Sequence, residues 1–187
     1  DVAPSRGLGD VYKRQIYNYR LRRKNRMFIR DIFAQKKPVL SFEVFPPKKD
    51  SGLDNVISAV DELSKMPIDY MSVTYGAGGS NSKNTAYIAS HLKNNLSIPS
   101  LAHLTCVANS KDDIKVKLQE YKDLGIENIL ALRGDKPKDY DGEIFPGYHY
   151  ANELVEAIKD FGDFCVGGAC YPECCLLYTS PSPRDGA

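Results

Sequence analysis

Five short motifs that contain polar residues stand at the ends of five apolar runs, spaced about thirty residues apart. The Glu43 carboxyl, the His103 imidazole and the Asp135 carboxyl within them can exchange protons or bind a polar ligand. In a βα barrel the C-terminal ends of successive strands meet at one face, which holds the active site. The motifs are Ser41–Pro47, Ser72–Ala77, Ala102–Cys106, Ala131–Asp135 and Gly168–Glu173. Five motifs in phase with the strands therefore predict a catalytic face.

Glu43 is the strongest candidate for proton transfer. It lies between Phe42 and Val44 in an apolar strand, where loss of water favours the neutral carboxyl over the carboxylate. A carboxyl that stays protonated near neutral pH can act as a general acid. The alternative is a structural ion pair between Glu43 and an Arg or Lys side chain, and the spacing alone does not decide between the two.

Arg133, Gly134 and Asp135 end the fourth apolar run. Glycine allows close backbone approach, and the two flanking charges can bind a polar ligand, so we predict a ligand-binding loop. The alternative is a turn in which Arg133 and Asp135 pair with each other. The integrin-binding tripeptide of the same sequence is disfavoured because here it terminates a buried strand.

The other polar positions give weaker signals. Thr74, Tyr75 and the loop Gly76–Ser80 could cradle a phosphate or pack on a flat ring, but neither Walker nor dinucleotide spacing is present. His103 is either a hydrogen-bonded core residue or a ligand contact. Tyr171 either stacks on an aromatic ligand or fills the barrel rim.

The elements that must position these residues follow from the alternation of apolar runs and helical patterns. The predicted strands are Val39–Phe45, Tyr70–Tyr75, Leu101–Val107, Ile129–Leu132 and Phe164–Tyr171. Two predicted helices are Asn25–Gln35 and Ala151–Phe161. Another is capped by Asp50 or Ser51 and has an apolar face of Leu53, Val56, Ile57, Val60 and Leu63. Two more begin at Ser82, with Tyr87, Ile88 and Leu92 on the apolar face, and at Ser110, with Ile114, Leu118 and Tyr121 on the apolar face and Gly125 at the end. Strands that alternate with helices predict a parallel sheet.

The fold class is α/β, of the (β/α)8 TIM-barrel family, here as an incomplete barrel of about five βα units. The chain has 187 residues, whereas a complete barrel typically needs about 250. We expect residues 1–26 to be a basic leader that is disordered or non-native, residues 27–173 to be the partial barrel, and residues 174–187 to be a non-native or disordered tail. Genuine flexible tails are the alternative for both ends.

Composition narrows the function classes. Hydrophobic residues make up 42% and charged residues 26%, the balance of a soluble globular protein, and the net charge of +1 gives no indication of a nucleic-acid partner. Residues 1–26 hold eight Lys or Arg against two Asp, which leaves a nucleic-acid or membrane-surface arm as the alternative to a leader. No apolar run reaches the roughly 20 residues of a membrane span.

The five cysteines favour a cytoplasmic protein. An odd number without a signal sequence argues against a disulfide framework, and we interpret Cys106, Cys165 and Cys170 as small core residues in a reducing compartment. Cys174 and Cys175 are adjacent and lack the spacing of a zinc site, so no metal is expected.

Taken together, the five motifs resemble those of the methylenetetrahydrofolate reductase family, specifically its bacterial type. The resemblance covers Met27 to Glu173, which corresponds to the N-terminal part of the family's barrel. In the family, three more βα units follow, whereas here the match stops at Cys174. The motifs Ser41–Pro47, Val73–Ala77, Ala102–Cys106, Leu132–Asp135 and Ala169–Glu173 match the family's motifs in order and spacing.

The resemblance implies a flavoprotein that binds FAD at the C-terminal strand ends, takes hydride from NADH or NADPH, and reduces 5,10-methylenetetrahydrofolate to 5-methyltetrahydrofolate. It implies that Glu43 is the general acid that helps to open the folate imidazolidine ring, and that Asp135 lies near the flavin pyrimidine and the folate. The positions that match FAD contacts are Thr74, Tyr75, Ala77, His103, Arg133, Gly134, Asp135, Tyr150, Ala151 and Tyr171.

Other functions stay open at this point. The chain could be a non-catalytic half-barrel that binds a partner or assembles as a homo-oligomer, or a different barrel enzyme that binds phosphate at Gly76–Ser80. We expect no nucleic-acid or membrane partner, and we expect the 187-residue chain alone to be inactive because five strands cannot close a barrel.

Overall fold

The computed structural model describes residues 27–35, 38–47, 50–75, 82–135 and 141–170. The helices are α1 (Ile29–Gln35), α2 (Leu53–Leu63), α3 (Ser82–Asn94), α4 (Lys111–Asp123) and α5 (Ala151–Phe161), and a 3-10 turn (Asp50–Gly52) precedes α2. The strands are β1 (Ser41–Val44), β2 (Tyr70–Val73), β3 (Ser100–Thr105), β4 (Asn128–Leu132) and β5 (Cys165–Gly168).

The five strands form one parallel sheet in the order β1-β2-β3-β4-β5. Each strand pairs with the next one along the chain, which confirms the predicted parallel sheet with alternating helices. β1 and β5 are the two edges of this sheet, so the described strands form an open sheet, consistent with part of a barrel.

Alternate residues of each strand face the helices. The register aligns Phe42 with Met71 and Val44 with Val73, and all four side chains join the core that α2 to α5 pack against. The largest helix side chains fully buried in this core are Val60, Ile88, Leu92, Ile114, Leu118, Tyr121, Leu154 and Ile158. The other face of the sheet, which we call the open face, carries the intervening residues.

Helix α1 lies at the N-terminal end of the strands. The Asn128 side chain ties it there, because Oδ1 accepts from the backbone N–H of Ile29 at 2.9 Å while Nδ2 donates to the carbonyls of Met27 and Ser100 at 3.0 and 3.1 Å. The Phe33 ring meets the Tyr70 ring edge-on, with centroids 6.1 Å apart. Among the described helices, none is both long and apolar enough to cross a membrane.

The caps of α4 are those predicted. The Ser110 side chain accepts from the backbone N–H of Asp113, and the Asp113 carboxylate accepts from the backbone N–H of Ser110. This bonding lowers the pKa of Asp113. At the other end Gly125 adopts φ of +74°, and the N–H of Ile126 donates to the carbonyl of Tyr121. Gly125 therefore ends the helix in the left-handed conformation that glycine favours.

Three predictions about local structure are wrong. Gly52, and neither Asp50 nor Ser51, is the N-cap of α2, because Asp50–Gly52 form their own 3-10 turn. Tyr87 is 54% exposed, since Ala86 and Ala89 take its predicted place against the sheet beside Ile88 and Leu92. Cys170 is exposed beyond the end of β5, although Cys106 and Cys165 are buried as predicted.

Four of the five predicted strands also extend too far at their C-terminal ends, whereas β4 ends at Leu132 as predicted. Backbone hydrogen bonds do continue past them, from the N–H of Thr74 to Val44 and from the N–H of Val107 to Arg133. Ala108 then adopts φ of +54°, which turns the chain out of the β conformation. The strand ends are therefore short ladders followed by irregular but hydrogen-bonded loops.

Candidate functional site

Glu43, Ser72 and His103 come together on the open face. The register places Ser72 of β2 directly beside Glu43 of β1, and the Ser72 hydroxyl donates to Glu43 Oε2 at 3.2 Å. His103 of β3 follows Leu101, which is the partner of Ser72, by two residues, and its Nε2 lies 3.8 Å from the same Glu43 oxygen. The structure therefore brings together two of the predicted site residues, Glu43 and His103, with Ser72 bonded to the same carboxyl oxygen.

The surroundings of Glu43 differ from the expectation. Its side chain is 48% exposed, so the desolvated carboxyl predicted from the apolar sequence is not observed. The reason is the direction of its neighbours: Phe42 and Val44 point to the helices, while Glu43 points to the open face. The alternative structural ion pair with Arg or Lys is also absent from the described residues, where the titratable group near Glu43 is His103.

His103 is buried and held in place by its backbone. The Tyr121 hydroxyl of α4 donates to the His103 carbonyl at 3.1 Å, and burial raises the pKa of that tyrosine. Burial lowers the pKa of His103, and the nearby Glu43 carboxylate opposes this shift only in part. The imidazole is therefore mainly neutral at pH 7.

Two buried polar atoms on this side of the sheet have no hydrogen-bond partner within the described chain. They are His103 Nε2 and Thr105 Oγ1, both on β3 and two residues apart. Alternate residues of a strand point to the same face. Buried polar atoms in proteins are nearly always paired, so these two atoms at a strand end have hydrogen-bonding capacity that the described chain does not satisfy.

The Arg133–Asp135 loop is tightly constrained. Gly134 adopts φ of +79°, and a β-carbon built on it would lie 2.6 Å from Val107 Cγ1 and 3.1 Å from Thr105 Cβ. Arg133 does not pair with Asp135: its Nε donates to the carbonyl of His149 at 3.2 Å, and its guanidinium lies 4.3 Å from the centre of the Phe145 ring. Asp135 is exposed, and no described side chain pairs with it.

Tyr150 and Ala151 lie where the β4–α5 loop enters α5. Tyr150 is the N-cap, and Ala151 is the first helical residue, as predicted. Glu153 accepts from the backbone N–H groups of His149 and Tyr150 at 2.7 and 3.3 Å, which lowers the pKa of Glu153. Cys106 Sγ donates to the Tyr150 carbonyl at 3.5 Å and joins the loop to the end of β3.

The thiol of Cys106 is not a nucleophile in this setting. Burial, with a smaller contribution from Glu153, raises the pKa of Cys106 to about 11, so the thiolate is scarce at neutral pH. No cluster of three or more His, Cys, Asp or Glu side chains that could hold a metal ion occurs among the described residues.

Thr74 and Tyr75 follow β2 in different directions. Extending the register places Thr74 beside His103, and its carbonyl accepts from Thr85 Oγ1 at 2.9 Å. The Tyr75 side chain is buried in the helix-side core, with Lys117 Nζ 5.7 Å from its ring centre. A contact between Tyr75 and a ligand on the open face would therefore have to use the backbone. Ala77 and Tyr171 lie outside the described residues.

Two site residues were not assigned a role by the sequence analysis, namely Ser72 and Thr105. The signal that points to them is the alternation of β2 and β3, where polar Ser72 and Thr105 interrupt apolar residues with the same period of two as His103. That alternation puts them on the face that also carries Glu43.

The chain matches a known protein family over most of its length. The family model described as methylenetetrahydrofolate reductase matches residues 28–184. The chain belongs to this family. Its open five-stranded parallel sheet is consistent with part of the βα barrel of this family.

The similar proteins include eukaryotic and bacterial reductases. Methylenetetrahydrofolate reductase 2 of Schizosaccharomyces pombe is 42% identical over 140 residues, which is 71% of this chain and 22% of that protein. Methylenetetrahydrofolate reductase (NADH) 1 of Arabidopsis thaliana is 36% identical over 149 residues, 78% of this chain and 25% of that protein. The 5,10-methylenetetrahydrofolate reductase of Pectobacterium carotovorum subsp. carotovorum is 35% identical over 134 residues, 72% of this chain and 44% of that protein. The chain thus spans less than half the length of these relatives.

Proposed function

We propose that this chain supplies one part of the active site of an enzyme that reduces 5,10-methylenetetrahydrofolate to 5-methyltetrahydrofolate, with FAD as cofactor and NADH or NADPH as hydride donor. The observation that carries the proposal is the convergence of Ser72 and His103 on the Glu43 carboxyl, on the open face of a sheet that belongs to the reductase family. A group that can give a proton beside two polar side chains is what ring opening of the folate requires.

The residues present fit a flavin. His103 Nε2 and Thr105 Oγ1 are hydrogen-bonding atoms that have no partner in the described chain, and Gly134 packs closely enough on Thr105 and Val107 to keep the end of β4 beside them. In this proposal the cofactor is held by Thr74, Tyr75, Ala77, His103, Arg133, Gly134, Asp135, Tyr150, Ala151 and Tyr171. When bound, FAD supplies the hydride that it has received from the nicotinamide.

Glu43 is the general acid in this scheme. Its carboxyl proton passes to the folate amine nitrogen as the bond between that nitrogen and the bridging carbon breaks, which leaves an iminium ion ready to accept hydride. The neutral His103 does not compete as a proton donor, because burial keeps its pKa low. Asp135 contributes a negative charge at the end of β4, close to where the resemblance puts the flavin pyrimidine.

The test is Glu43→Gln in a full-length reductase that carries this segment, with Glu62→Gln on the exposed surface of α2 as the matched control. General acid catalysis contributes about 10²–10⁴-fold, so we expect folate reduction to fall by that factor. FAD binding and flavin reduction by the nicotinamide should stay unchanged, as measured by stopped-flow absorbance of each half-reaction. Normal folate turnover in Glu43→Gln would refute the assignment of the acid.

A further inference from the structure

We propose that Ser72 is a positioning residue for Glu43: its hydroxyl occupies one carboxyl oxygen, Oε2, and leaves the acidic proton on the other oxygen. The role rests on the proposed function, because it matters only if Glu43 gives a proton to substrate. It assigns a task to a residue that neither lies in a loop nor contacts a ligand in the scheme above.

The contact itself is built into the sheet. Ser72 and Glu43 are register partners on adjacent parallel strands, so their side chains leave the same face side by side. Ser72 is only 8% exposed, and a buried hydroxyl is costly unless it is hydrogen-bonded. Its donor bond to Glu43 Oε2, 3.2 Å long, meets that need.

The same bond determines which carboxyl oxygen can carry the proton. In a neutral carboxyl the carbonyl oxygen accepts a hydrogen bond better than the O–H oxygen does, so the Ser72 bond to Oε2 favours the form of Glu43 that carries its proton on Oε1. His103 Nε2 also faces Oε2, at 3.8 Å. At that distance His103 makes no hydrogen bond to Glu43, so the Ser72 bond is the contact that directs the proton for the substrate to Oε1.

Few described charged groups surround Glu43, so the direction in which the Ser72 bond shifts its ionisation can be predicted. Ser72 on β2 is uncharged, and the titratable group that faces Glu43 from β3 is the mainly neutral His103. Within the described chain, Glu43 has no other ion pair. A hydrogen bond to the ionised form favours ionisation, so removing the Ser72 hydroxyl should make Glu43 harder to ionise.

The first experiment follows the Glu43 carboxyl by carbon-detected NMR during a pH titration of the full-length reductase. A typical hydrogen bond shifts such an equilibrium by about half to one pH unit, so the Glu43 midpoint should rise by that amount in Ser72→Ala. Ser72→Cys, which keeps the side-chain size but donates weakly, should shift in the same direction and serves if the alanine variant does not fold. Ser100→Ala, a buried serine on the helix side of β3, should leave the midpoint unchanged. Equal midpoints in wild type and both Ser72 variants would overturn the proposal.

The second experiment uses the loaded full-length reductase. In Ser72→Ala we expect the folate half-reaction to slow by about tenfold and the alkaline limb of its pH profile to move to higher pH, because the acid must be protonated. Flavin reduction by the nicotinamide should not change. A purely structural role for Ser72 would slow both half-reactions and leave the limb in place, which contradicts the proposal. If wild type binds no flavin, the proposed function fails while the NMR titration still decides the role of Ser72.

Discussion

At some of the described glycines, a new β-carbon would come close to another side chain. Among these, Gly134 is the one whose replacement by alanine should disturb the site most. Two separate costs meet at this position. Its φ of +79° is in the left-handed region, where an alanine costs about 1–2 kcal/mol. The new β-carbon would also lie 2.6 Å from Val107 Cγ1, and such overpacking costs about 1–3 kcal/mol. Together they give a loss of about 2–5 kcal/mol in the free energy of unfolding.

Three other glycines separate these costs. Gly125 has a φ of +74° but its nearest contact would be Asn94 Oδ1 at 3.7 Å, so alanine there should cost only the backbone strain. Gly147 has the clash without the strain, because a β-carbon would lie 2.7 Å from the carbonyl oxygen of Asn109. Gly162, with φ of 175° and a nearest contact of 3.7 Å, has neither and is the reference for the loss of glycine freedom in the unfolded chain.

The measurement is urea unfolding of all four variants, followed by far-UV circular dichroism at one low protein concentration. The expected order of destabilisation puts Gly134→Ala above Gly125→Ala, with Gly162→Ala near wild type. In the full-length reductase, Gly134→Ala should also weaken FAD binding, measured by flavin fluorescence. A loss for Gly134→Ala no greater than that for Gly125→Ala would show that Val107 and the loop do not pack as described.

Three further predictions concern charge and completeness. Asp135→Asn should raise the flavin midpoint potential of the full-length reductase and weaken folate binding, since a negative charge near the flavin disfavours its anionic reduced form; an unchanged potential in spectroelectrochemical titration would leave Asp135 as a loop residue. Because burial lowers the pKa of His103 in the folded chain, the unfolded state binds its proton more tightly, so stability should decline as pH falls below the ordinary value of 6.5. The free energy of unfolding, measured at a series of pH values across this range, should fall less steeply with decreasing pH in His103→Gln than in wild type. Equal slopes in the two proteins would contradict the prediction. The 187-residue chain alone should bind FAD poorly, self-associate through the open edges β1 and β5 in sedimentation experiments, and fail to reduce methylenetetrahydrofolate; a monomeric, flavin-loaded and active chain would refute this.

The order of elements could be predicted because it depends on local patterns. Helix α5 has the predicted bounds Ala151–Phe161, and Ser110 and Gly125 stand at the ends of α4 as their chemistry requires. A serine hydroxyl that accepts from a backbone N–H of the first turn, and a glycine that adopts the left-handed conformation, both act within a few residues of the helix end. They can therefore be recognised in the sequence without knowledge of the fold.

The surroundings of the site could not be predicted in the same way, because burial depends on residues far apart in the chain. The apolar neighbours Phe42 and Val44 predict a desolvated Glu43, yet they pack against the helices, and Glu43 is half-exposed on the opposite face. A strand pattern shows that residues alternate between two faces, but which face the helices cover follows only from how neighbouring strands and helices assemble. Tyr75 illustrates the same point, since one residue after Thr74 it belongs to the helix-side core.

The nearest-neighbour order of the sheet has a consequence for how the chain acquires its structure during synthesis. Each strand pairs with one made about thirty to forty residues earlier, so each pairing closes a loop of modest length as soon as the next strand appears. The N-terminal strands leave the ribosome first, so we expect the sheet to grow there strand by strand. The Asn128 side chain, by contrast, bonds to residues 99 and 101 positions earlier in the chain, so these hydrogen bonds cannot form before β4 has been made. We therefore expect helix α1 to dock late. Until then the N-terminal ends of the strands stay accessible to chaperones.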